Sequence, residues 1–68
     1  MMILVVRYNS KGHLTNRVPL EQQLEKQLAP YFKEGQDILE LTTETTRLLQ
    51  KHNVDLSGDC VLERWTNN

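Results

Sequence analysis

The chain has 68 residues and a mass of 8.0 kDa, with eight Lys and Arg against nine Asp and Glu and a net charge of −1. One small domain over residues 1–68 fills that length, and near-neutral charge excludes a polybasic coat for nucleic acid. The longest apolar run, Met1 to Val6, falls far short of the ~20 residues a membrane-spanning helix needs, and it lacks the basic flank of a signal peptide.

At the N-terminus, Ile3 to Tyr8 is rich in β-branched and aromatic residues and runs into Asn9-Ser10-Lys11-Gly12. Asn at the first position and Gly at the fourth predict a type I turn closed by a glycine in the left-handed region, the three-residue hairpin loop. Pairing Asn9 with His13 sets Tyr8 opposite Leu14, Val6 opposite Asn16 and Leu4 opposite Val18. Those six form the expected core face. Ile3, Val5, Arg7, His13, Thr15 and Arg17 then share the outward face.

Pro19 suits the first position of a helix, where its missing N–H costs nothing. Leu20, Leu24, Leu28, Tyr31 and Phe32 share one stripe at helical spacing. The helix is expected to run from Pro19 to Phe32 with a kink at Pro30, or to stop at Ala29. After the break at Glu34-Gly35-Gln36, Asp37 and Glu40 match a capping box for a second helix. Ile38, Leu41, Thr45, Leu48, Leu49 and His52 would form its inner face, with Asn53 in the left-handed exit position. The four threonines at 42, 43, 45 and 46 favour a strand there but are outweighed by the periodicity. Asp55 to Asp59 reads as a loop turning at Ser57-Gly58, Cys60 to Trp65 as a last strand, and residues 66–68 as a frayed end. The fold class is α+β: an N-terminal hairpin, two amphipathic helices and a C-terminal strand (ββααβ), with both helices on one face of a small antiparallel sheet.

Motifs with chemistry are few. Asp55-x-Ser57-x-Asp59 has the opening spacing of a calcium loop, but Cys60 and Thr66 stand where glycine and glutamate are required, so a self-capped turn is expected. His13, His52 and Cys60 are scattered and do not make a zinc set. His52 fits carbonyl capping at a helix C-terminus, and Cys60 the common buried free thiol. The glycines are isolated, so no phosphate loop is present. No catalytic, metal or cofactor site is expected, and the protein is read as a non-enzyme.

Charge is segregated. Residues 1–18 hold Arg7, Lys11 and Arg17 with no acid, whereas the remaining fifty hold five bases and nine acids. Arg7, His13 and Arg17 on the outward hairpin face, with Lys11 at the tip, could track a phosphate backbone, although three fixed charges suit a solvated face better. Trp65 beside Arg64 reads either as closing the core or as an interface anchor.

Ile3 and Val5 remain unexplained, because a strand apolar on both sides is normally covered on both. Either the C-terminal segment covers them, through Val61 and Trp65, or a second copy does. The function expected is therefore a small protein-interaction module that self-associates as a homodimer or binds another protein. Its candidate surface is Ile3, Val5, Arg7, Lys11, His13, Arg17 and Trp65, and the alternative is a nucleic-acid-binding regulator using the basic hairpin. With one cysteine and no metal set, a reducing, cytoplasmic setting is expected.

Overall fold

A computed structural model describes residues 1–66 of the chain. Strand β1 (Met2–Tyr8) turns through residues 9–13 into β2 (Leu14–Pro19). Helix α1 (Gln22–Leu28) continues as a 3-10 turn over Ala29–Tyr31 and leads to a short strand β3 (Ile38–Glu40). Helix α2 (Thr43–Lys51) and strand β4 (Asp59–Trp65) complete the chain. The strands form one antiparallel sheet in the order β2-β1-β4-β3, so β1 and β4 are central and β2 and β3 are the edges. The α+β class and the antiparallel sheet are as expected, with one strand more than the expected pattern.

The hairpin loop forms as the sequence predicts. Asn9 N–H donates to His13 O and Gly12 N–H to Asn9 O, both at 2.9 Å, with Gly12 at φ +79°. Beyond Tyr8↔Leu14, however, the register slips by one, because Arg7 pairs with Asn16 and Thr15 is an extra residue on β2. Its hydroxyl donates to Arg7 O at 2.9 Å, satisfying a carbonyl beside the bulge. The pairs become Val6↔Arg17, Val5↔Val18 and Leu4↔Pro19. A shift of one residue exchanges the faces of a strand. Here the exchange is of β2 relative to β1. The expected core face of β1 is corrected by the packing of the helices: Ile3 and Val5 face them, and Leu4, Val6 and Tyr8 face the other way.

The core follows from that choice. Ile3, Val5 and Leu62 of the two central strands pack against Leu24, Leu28, Phe32 and Leu49, with Leu20, Tyr31, Leu39, Leu41, Leu48, Val54, Leu56 and Cys60 around them. Both helices therefore lie on one face of the sheet.

Element boundaries differ from expectation in two places. Pro19 ends β2 rather than opening the helix, while Leu20 N–H continues the sheet ladder by donating to Ile3 O at 2.9 Å. The α-helix ends at Leu28 and the chain passes through Pro30 as a single 3-10 turn, which spares the hydrogen bond proline cannot make. The larger difference is at Asp37–Leu41, where an expected first helical turn is strand and connection. Thr42 caps α2 instead: its hydroxyl accepts from Thr45 N–H at 3.2 Å, and Thr45 Oγ1 accepts from Thr42 N–H at 2.9 Å. The threonines act as caps, which frees Ile38–Glu40 to pair with β4. Asn53 takes the left-handed exit at φ 58°, as expected. Of the expected frayed end, Thr66 is exposed and outside β4, while residues 67–68 lie outside the described residues.

Candidate functional site

The bulge separates Arg17 from Arg7, placing the two on opposite sides of the sheet. Arg7 alternates with Val5 on the helix side, where its side chain is gathered by the loop before β4. Nε donates to Ser57 O at 2.7 Å and Nη2 to Asp55 O at 2.6 Å, with Asp55 Oδ2 at 3.8 Å and Asn16 Oδ1 at 3.4 Å from the guanidinium. Gly58, at φ +78°, lies under the arginine stem, 3.6 Å from Cδ to where a Cβ would stand. Arg17 points to the opposite side of the sheet and meets Glu63 at 3.7 Å. The expected shared basic face of Arg7, His13 and Arg17 therefore does not form. Lys11 and His13 remain exposed at the hairpin end, where Asn9 Oδ1 accepts from both their backbone N–H groups.

Three groups with potential chemistry are thus structural. Arg7 ties loop 55–58 to the sheet. Arg64, expected beside Trp65 as an anchor, faces the helix side, donating from Nη2 to Lys33 O at 3.1 Å and Gln36 O at 2.5 Å. It also stacks 5.1 Å from the Phe32 ring centroid, holding the segment before β3 in place. Asp55 Oδ1 accepts from Ser57 N–H at 2.9 Å, the self-capped turn expected of that loop. The Ser57 backbone and side-chain hydrogen bonds, with a smaller contribution from Arg7, hold the Asp55 carboxyl below the usual range against a desolvation effect of opposite sign.

A cleft of about 490 Å³ opens on the helix side between β2 and the ends of the helices. Its floor is apolar (Val5, Val18, Leu24, Val54), and on its rim His52 Nδ1 lies 2.9 Å from Glu21 Oε1. That contact joins the C-terminal end of α2 to the residue before α1, a role for His52 beyond the carbonyl capping expected. No Ser, Thr, Cys or Lys lines the cleft. Cys60 Sγ instead lies 3.5 Å from Ser57 O. Among the described residues no three His, Cys, Asp or Glu side chains are grouped to hold a metal ion, and no helix is long and apolar enough to cross a membrane.

The sheet face away from the helices has a different composition. Reading across the paired strands, its rows are Met2 and Trp65; Pro19, Leu4, Glu63 and Ile38; Arg17, Val6, Val61 and Glu40; and Leu14, Tyr8 and Asp59. Leu4 and Val6 are only 4% and 0% exposed although no helix reaches them. Arg17 and Glu63 stand on strands either side of β1 and can meet only above it, so their stems roof Leu4 and Val6. The Trp65 indole N–H donates to Glu63 Oε1 and draws the ring toward the same roof. Around it Trp65 and Ile38 are 45% and 47% exposed, and Leu14 is comparably open. Trp65 therefore does not close the helix-side core.

Of the expected surface, the structure keeps Arg17 and Trp65 together on this face, buries Ile3 and Val5 against the helices, and turns Arg7 away. It adds Met2, Tyr8, Ile38, Glu40 and Val61. The signal for Ile38 and Glu40 was the Thr42-x-x-Thr45 cap, which starts α2 after them. No sequence signal marks Thr15 as a bulge. No family model matches this chain, and neither does any curated protein or solved structure.

Proposed function

We propose that this domain is a non-catalytic protein-interaction module, working in a reducing compartment such as the cytoplasm, whose docking surface is the helix-free face of its sheet. The observation that carries this reading is that β1 is apolar on both sides while both helices lie on one. Trp65, Ile38 and Leu14 are left half-exposed around a roofed centre, a grouping of large side chains that marks contact surfaces.

Docking by strand addition at an edge is less favoured. In the antiparallel ladder set by Leu20 N–H to Ile3 O, Val18 and Asn16 bond to β1, so Arg17 and Pro19 carry the free edge of β2. Pro19 has no N–H to offer, and the Thr15 bulge bends the strand. At the other edge β3 has only three residues. Both edges thus carry the devices that discourage strand pairing, and the face does not.

The test is a photo-crosslinking residue at position 38, with position 26 on the exposed side of α1 as control. A protein adduct from 38 and none from 26 is expected. Absence of any adduct at 38 would overturn the reading.

A further inference from the structure

Resting on that docking face, we infer that its occupant is a second copy of this chain, related by a two-fold axis running parallel to the strands.

The argument is the placement of charge. The face carries its one base, Arg17, on edge strand β2, and the acid Glu40 on the opposite edge strand β3, in the same row as Val6 and Val61. Face-to-face pairing of identical sheets has two simple two-fold choices. An axis across the strands lays β2 over β2 and β3 over β3, so Arg17 never lies over Glu40, and where the axis crosses their row Arg17 meets Arg17 and Glu40 meets Glu40. An axis along the strands, between β1 and β4, lays β2 over β3 of the other copy. Each Arg17 then meets the other copy's Glu40, twice per dimer, and the roofed row of Val6 lies in register with Val61 at the centre. Opposite charge selects the second arrangement and like charge opposes the first.

The centre of the face tolerates this contact. Glu63, the acid nearest the axis, accepts the Trp65 indole N–H and already meets Arg17 Nε, which leaves the terminal guanidinium N–H groups of Arg17 for Glu40. Met2 of one copy comes over Trp65 of the other, and Tyr8 over Asp59, where the phenol can donate to the carboxylate. Strand-parallel stacking also keeps the two sheets near the aligned orientation that sandwiches adopt.

Size sets the strength. Four strands ~4.8 Å apart and about 20 Å long present roughly 400 Å² of projected face, small beside the ~800 Å² per partner of a standard interface. The dimer is therefore a reversible one in the micromolar range.

Sedimentation of the full chain from about 5 to 500 µM tests it. The wild type is expected to dimerise. Glu40→Arg and Arg17→Glu should each weaken association at least tenfold, by facing Arg with Arg or Glu with Glu. An equimolar mixture of the two variants should regain the dimer, because every cross-copy pair is again opposite in sign. Ile38→Glu, which leaves the helix-side core intact, should dissociate it even if Arg17→Glu fails to fold. A wild type that stays monomeric at 500 µM, a dimer that ignores Ile38→Glu, or folded charge variants that do not associate on mixing would each overturn the inference. A monomer that still gives a heavier adduct from position 38 would overturn the second copy alone. A monomer with no adduct would overturn the docking face as well.

Discussion

Strand β1 is buried equally on its two sides by two different means. Ile3 and Val5 are 0% and 2% exposed beneath helices, packed against Leu24, Leu28 and Leu49; Leu4 and Val6 are 4% and 0% exposed beneath the stems of Arg17 and Glu63. Accessibility alone does not distinguish these environments. The helix side is a packed interior that relaxes only in part when atoms are removed. The other side is a roof of long, flexible, charged side chains whose outer surface still meets water. A residue can thus be removed from water without belonging to a core, and a face so covered remains available to a partner.

Substitutions on the two sides test that contrast. Leu49→Ala on the helix side should have the largest effect, about 3–5 kcal/mol lost in urea unfolding, because Leu49 is fully buried within the cluster and a cavity would remain. For a domain this small that approaches the whole stability. Leu4→Ala on the roofed side should cost less, about 2 kcal/mol, since Arg17 and Trp65 can settle into the space. Equal losses for the two variants would show that the roof packs as tightly as the helices do.

The smallest effect concerns the Arg7 side of the sheet and acid pH. The hydrogen bonds from Ser57 hold Asp55 below the ordinary carboxylate range in the folded chain. The unfolded state then binds the proton more readily. Its contribution to stability is present above the unfolded value, near pH 4, and is lost as pH falls through the folded one. Asp55→Asn keeps a turn-capping oxygen but cannot titrate, so its melting temperature should fall slightly less than the wild type's between about pH 4 and pH 2. An identical fall in both proteins would remove Asp55 from the acid response. The effect is small because the Asp55 side chain is largely in solvent.

The local signals in this sequence were legible because each is satisfied within a few residues. The Asn9-to-Gly12 loop, the leucine stripe from Leu20 to Phe32, the exit at Asn53 and the Asp55–Ser57 turn are all short-range chemistry, and each formed. They specify a small antiparallel sheet with helices on one face. Where two capping patterns of the same span competed, the reciprocal Thr42–Thr45 cap displaced the Asp37–Glu40 box, and Ile38–Glu40 became an edge strand that pairs with residues more than twenty positions away.

Which side of β1 meets the helices was not legible, because the strand reads as apolar in either register. Ile3 and Val5 make as good a core face as Leu4 and Val6. One extra residue, Thr15, sets which side chains of β2 share each face with it, and no composition or periodicity marks it as a bulge. The choice is made where α1 and α2 close over the sheet and where Arg7 finds the carbonyls of Asp55 and Ser57, nearly fifty residues away. Composition and spacing therefore determined the class and every element but β3. Only tertiary packing decided the register, and with it the divergence of Arg7 from Arg17 and the identity of the face left without a helix, because period-two alternation has no sign until something covers one side.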